Sequence, residues 1–165
     1  MEMDSLRELY VDELKDLYSA EKQILQALPK MVKKASNEQL KKAFQDHLEV
    51  TQMQLERLDR VFEEIGKSPR GKKCRAMEGL IEEGKEMMQE EMEPEVMDAA
   101  LIAAAQRIEH YEMSGYGTVR TYARTLGEKN QQKLLQQTLD EEADADKKLT
   151  QLAESSINVE AAVGA

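Results

Sequence analysis

Tryptophan is absent from this chain, aromatic residues make up only 4% of it, and there are 3 prolines and 8 glycines. So few turn-forming residues leave little punctuation for a many-stranded fold. A single cysteine, Cys74, excludes an intrachain disulfide and makes the cytoplasm the default compartment. No apolar run approaches the roughly 18 residues that span a bilayer, and the acidic start Met1-Glu2-Met3-Asp4-Ser5 is not a signal peptide. There is no basic arm or stripe on a chain of net charge −10, which argues against nucleic-acid binding through phosphate contacts. The one basic cluster, Lys67 to Arg75, is short and falls in an expected connection. No activated serine, activated cysteine or phosphate-binding loop supports hydrolytic or nucleophilic chemistry.

What the chain does have is charge, 34% of its residues, on a background rich in Ala, Leu, Glu, Lys and Gln. That is the composition of an all-α protein, and 165 residues suffice for one domain with a real core. Ten methionines supply adaptable apolar volume where aromatic rings do not.

Apolar residues recur at helical spacing in four long stretches, about 5–34, 37–65, 94–126 and 128–154. Ser5 to Glu8 and Ser36 to Gln39 read as capping boxes. Pro29 is expected to bend the first helix, Pro94 suits a first turn, and Gly66 and Gly127 are stop signals. Residues 66–93 form a long crossover with a short helix near 74–91, and 155–165 is expected to be a flexible tail. A crossover of that length lets the second and third long helices run parallel, the single-crossover form of a four-helix bundle.

Charged residues interrupt the apolar stripes at a few places. Leu101, Ala105, Ile108, Tyr116, Val119 and Ala123 share one face of the third helix, with Glu112 near its middle and Glu109 at its edge. Glu21 lies between Leu17 and Leu25 on the first helix; Glu142 is central on the fourth, with Asp146 one turn further on. On the second helix the inward polar residues are His47, Thr51 and Gln54, while Glu49 faces away. Folding the first pair of helices about residues 35–36 levels Glu21 with residue 50, between His47 and Gln54. Folding the second pair about Gly127 levels Glu109 with Asp146, and Glu112 with Ala143 beside Glu142. Each hairpin thus gathers its inward acids at one depth.

A carboxylate facing a core is costly unless paired, protonated or bound to metal. Arg120 is the only nearby cation expected on the inward faces. The metal-ligand candidates are therefore Glu21, Glu109, Glu112, Glu142 and Asp146, with His47 and Gln54 from the second helix. Such a carboxylate-rich set suits iron or manganese, as a di-iron pair or another divalent ion, better than structural zinc. The rival reading is a non-enzymatic dimeric bundle with a degenerate, metal-free acid cluster. Tyr116 reads as core, and His110 as surface.

The stretches DLYSAEKQ (16–23), HLEVTQMQ (47–54), CRAMEGLIEE (74–83), DAALIAAAQRIEHYE (98–112) and TLDEEADADKKLT (138–150) resemble the YciE/YciF-type ferritin-like stress proteins of bacteria, most of all the YciF branch. That resemblance implies a ferritin-like four-helix bundle over residues 1–154, a homodimer, and a cytoplasmic role in stress response. The absence of a basic arm sets the chain apart from DNA-coating ferritin relatives. Against the wider di-iron ferritin pattern, Glu21 matches the first-helix glutamate, Glu109 or Glu112 the third, and Glu142 the fourth. The usual Glu-x-x-His is missing from the second helix, where Glu49 is followed by Gln52, and the fourth helix offers Glu142 and Asp146 without a histidine. These departures weigh against a redox-active di-iron pair and against ferroxidase turnover.

Overall fold

The computed structural model describes residues 3–163; Met1, Glu2, Gly164 and Ala165 lie outside it. Five helices come first in chain order: α1 (Leu6–Lys34), α2 (Glu38–Ile65), α3 (Arg75–Gln89), α4 (Pro94–Thr125) and α5 (Lys129–Leu152). A π-helical turn (Ala153–Ile157) and a short α6 (Asn158–Val163) complete the described chain. No strand occurs among the described residues, and none of their helices is long and apolar enough to cross a membrane.

Local chemistry sets the helix ends. Ser5 caps α1 by accepting from the Glu8 backbone N–H, and the Glu8 carboxylate accepts in return from the Ser5 hydroxyl and the Asp4 N–H. At α2 the cap differs from the capping box expected at Ser36. Asn37 Oδ1 accepts from Gln39 N and Leu40 N, each at 3.0 Å. The preceding N–H groups of Ser36 and Asn37 go to the two oxygens of Asp98 on α4, at 2.8 and 2.9 Å. A tertiary carboxylate has taken over a role that the local sequence assigns to a side chain three residues on. Gly66 and Gly127 close α2 and the α4–α5 turn at φ of 71° and 76°, where a Cβ would be strained. Helix α1 continues through Pro29, which is exposed.

Helices α1 and α2 form one antiparallel hairpin and α4 and α5 the other, with α1 against α4 and α2 against α5. Tyr10 meets Gln131 on α5, Glu21 meets Tyr116, and Ile24 shares its cluster with Ala105, so α1 and α4 run oppositely and α2 runs parallel to α4. Helix α3 lies on α1 and α4, covering Met31, Leu101 and Ile108 with Met77 and its half-buried neighbours. Cys74 starts α3 from a buried position, its Sγ 3.2 Å from both Asp16 Oδ2 and Tyr111 Oη. That polar knot fastens the crossover to the bundle. The tail also departs from the flexible segment expected at 155–165: residues up to 163 are helical, because Ala153 and Ile157 bury against the end of the bundle.

The buried apolar residues fall into two blocks. One, around Tyr10, Leu14, Leu17, Phe62, Val119 and Ala123, fills the end near the α4–α5 turn. The other, around Ile24, Leu28, Phe44, Leu101, Ile108 and Ile157, fills the opposite end. Between them is a layer of buried polar side chains.

Gly115 and Gly117 flank that layer on α4. A Cβ on Gly115 would sit 2.6 Å from Leu17 Cδ2, whereas one on Gly117 would meet nothing within 4 Å. Glycine at 115 is thus a packing requirement, and at 117 it is only a helix-propensity cost. Gly117→Ala is expected to stabilise the chain by about 1 kcal/mol. Gly115→Ala is expected to destabilise it by ~1 kcal/mol, because displacing buried Leu17 outweighs the propensity gain. Urea unfolding of the two variants beside the parent checks the opposite signs.

Candidate metal centre

The polar layer is built from one or two residues of each long helix. Glu21 on α1, Glu109 and Glu112 on α4, and Glu142 on α5 are all at most 3% exposed. His47 on α2 is nearly as deep, its side chain 10% exposed. The i, i+3 spacing on α4 turns both its glutamates towards the bundle axis, one turn apart. Glu142 reaches both.

Ligand atoms gather in two groups, each within 4.8 Å: Glu21, Glu112 and Glu142 in one, and His47, Glu109 and Glu142 in the other. Glu142 belongs to both. Few of these atoms have hydrogen-bond partners. Tyr116 donates its hydroxyl to Glu21 Oε1 at 2.7 Å. Glu21 Oε2, Glu109 Oε2 and both oxygens of Glu112 and of Glu142 are buried without any partner. His47 Nε2 lies 2.9 Å from Glu109 Oε1 but without the direction of a hydrogen bond. Buried polar atoms in proteins are almost always paired, so such a concentration at one depth needs an explanation.

Burial is the first cause of the unusual acidity here, and the mutual repulsion of the carboxylates is the second. Burial and the charge of Glu142 push Glu21 up to about 8, against the hydrogen bond from Tyr116. Burial lifts Glu109 to about 7. Glu112 and Glu142 are pushed well above the ordinary carboxylate range by burial and by neighbouring glutamates. Burial next to Glu21 and Glu112 also raises the Tyr116 hydroxyl, which keeps it a donor.

Two of the residues expected in the ligand set lie apart from both groups. Asp146 sits one helical turn beyond Glu142, about 6 Å along the axis. Its Oδ1 is buried and lies 3.2 Å from His110 Nε2 without a hydrogen bond, and its charge is among those that raise Glu109. Gln54 is fully buried, but its amide nitrogen donates to Glu141 at 3.3 Å while its oxygen is unpartnered. Arg57 was not among the expected inward cations. It is 8% exposed, grips Glu141 with two bonds of 2.8 and 2.9 Å, and donates to Thr138. The sequence carries a signal for it, since position 57 is three residues from Gln54 and four from Val61 on the same inward face. With its charge matched by Glu141, it does not neutralise the glutamate layer. Tyr116, expected as plain core, is both core and the donor that orients Glu21.

Four antiparallel-neighbour helices, one long crossover and an internal layer of carboxylates define a ferritin-like bundle with a buried acid centre. The family described as "Domain of unknown function (DUF892)" matches residues 5–162, and the chain belongs to it. Protein YciF of Escherichia coli (strain K12) is 51% identical over 116 residues, 70% of either chain. The crystal structure of the E. coli stress protein YciF superposes with a TM-score of 0.91 at 48% identity, covering 94% of this chain and 99% of that one. The YcfI protein from Rhodopseudomonas palustris superposes with a TM-score of 0.88 at 42% identity, over 90% of this chain and 95% of its own.

The raised carboxyl groups make stability depend on pH with a definite sign. The folded chain keeps protons on Glu21 and Glu109 up to about 8 and 7, whereas the unfolded chain releases them near 4.5. Stability of the metal-free protein is therefore lost as pH rises from the unfolded value through the folded ones. Its melting temperature is expected to be higher near about pH 5.5 than near about pH 8. Glu112→Gln, which removes one buried charge at constant shape, is expected to raise stability at about pH 8 by ~1–3 kcal/mol and to flatten the profile. Calorimetry of chelator-treated protein across this range reads both effects.

Proposed function

We propose that the chain is a bacterial stress protein whose bundle holds a pair of divalent metal ions, iron or manganese, in the glutamate–histidine layer. One observation carries the reading: two groups of buried, unpartnered ligand atoms share Glu142 as a common member. In this reading Glu21, Glu112 and Glu142 hold one ion, and His47, Glu109 and Glu142 hold the other. An oxygen-rich set with a single imidazole suits iron(II) or manganese(II). The stress assignment rests on the likeness to the E. coli stress protein YciF.

Such ions, when bound, supply Lewis acidity and, for iron or manganese, one-electron chemistry. The chain's own residues do the rest. Tyr116 fixes the rotamer of Glu21. Arg57 holds Glu141 away from the layer, so that acid neither adds to the repulsion nor competes for an ion. The apolar blocks at both ends enclose Glu21, Glu112 and Glu142, which are fully buried, and strengthen the electrostatic interactions among them.

A metal-free bundle with protonated acids is the competing reading, and metal content separates them. Protein loaded anaerobically with iron(II) or manganese(II) and then desalted is expected to retain about two ions per chain by elemental analysis, one for each group. Glu112→Ala with Glu142→Ala should abolish retention, and His47→Ala alone should roughly halve it. Metal should also raise the melting temperature more at about pH 7.5 than at about pH 5.5, since it binds only the ionised carboxylates. A parent chain that retains neither metal sinks the proposal.

A further inference from the structure

The polar layer is open on one side. Beside the His47–Glu109 group, a cavity of about 270 Å³ lies between α1, α2, α4 and α5. Its walls are apolar, with Ile24, Leu28, Phe44, Ala105, Ile108 and Leu149 among them. His47 and Glu109 line it as well, and the small part of each side chain that stays exposed, 10% and 3%, forms its polar end. Asp46 and Lys148 also line it, 3.8 Å apart and each about half exposed, so the cavity meets solvent between them. A cavity of about 150 Å³ in an apolar core holds benzene; this one has room for about ten to twelve non-hydrogen atoms.

We propose that this cavity is a binding site for a small neutral molecule with an apolar body and one hydroxyl group, a phenol or a short alcohol. The apolar walls require the body. The hydroxyl matches the His47–Glu109 end: it donates to a carboxylate oxygen, and its own oxygen can face a cation. With Glu141 matched by Arg57, Glu109, Asp46 and Asp144 line the cavity against Lys148 alone, so an anionic ligand is repelled. An ammonium head would have to shed its water among apolar walls, which disfavours it against a neutral one. The proposal deepens the metal reading by naming what approaches the layer, and it rests on that reading only for what lies behind His47 and Glu109.

The test is calorimetric titration of phenol, toluene, benzoate and benzylamine into both metal-loaded and chelator-treated full-length chain, with backbone amide shifts at Phe44 and Ala105 followed in parallel. Phenol is expected to bind saturably and at least about tenfold more tightly than benzoate or benzylamine, with toluene between, and to shift both amides. Ala105→Leu and Ala145→Leu each add volume to a lining position. Both are expected to weaken phenol by about tenfold or more while leaving metal content unchanged, and the second keeps the test alive if the first disturbs folding. The proposal is overturned by absent phenol saturation, by benzoate or benzylamine binding as tightly as phenol, or by filling variants that bind phenol as the parent does. Phenol binding by a chain that retains no metal would sink the metal reading alone.

Discussion

The structure depends on one unfavourable interaction, the mutual repulsion of carboxylates held in a dry layer. Their ligand atoms approach within 4.8 Å, where two full charges repel by about 3–4 kcal/mol even at an effective dielectric constant of about 20. Four such groups cannot all be ionised and bare. Either protons or cations occupy the layer, and the rest of the bundle is arranged around that condition. Apolar blocks close it at both ends, Tyr116 donates to Glu21, and Glu141 beside it is held by Arg57. Glu141 left free would have added charge without adding order.

The bundle was legible because its signals are periodic and redundant. Stripes over four long segments, stop signals at Gly66 and Gly127, and a crossover between them allow one antiparallel arrangement and leave little room for others. The depth of the acids was legible for the same reason: equal distances from a tight turn bring Glu112 beside Glu142 whatever the side-chain details. What periodicity does not carry is the identity of partners. A helical stripe places Arg57 inward but is silent about Glu141, and it places Asp146 within one turn of Glu142 without showing that its Oδ1 lies beside His110. The Asp98 carboxylate that caps α2 is 61 and 62 residues from the amides it accepts, beyond any local capping rule. Likewise the tail lacks a pattern because only Ala153 and Ile157 need to be apolar for it to dock.

Departures from local preference mark the same region. Glutamates in an apolar stripe, an unpartnered glutamine oxygen and a glycine inside α4 each cost stability by themselves. Gly115 is explained by Leu17, whose side chain occupies the space that a Cβ would need. Glu21 follows Leu17 by one turn on α1, and Tyr116 follows Gly115 directly on α4, so the close approach and the Tyr116–Glu21 hydrogen bond belong to one contact. The glycine therefore sets how near α4 comes to α1, and through that the depth at which Glu21 meets Glu112.

Sharing of Glu142 gives the two ligand groups a common fate. A cation in either group lowers the cost of ionising Glu142, and that carboxylate is then available to the other group without a second desolvation. The asymmetry between the groups has a different consequence. The group with Tyr116 is enclosed by core on every side, while the group with His47 borders a cavity open to solvent. A molecule entering from outside meets His47 and Glu109 before the fully buried Glu21 and Glu112.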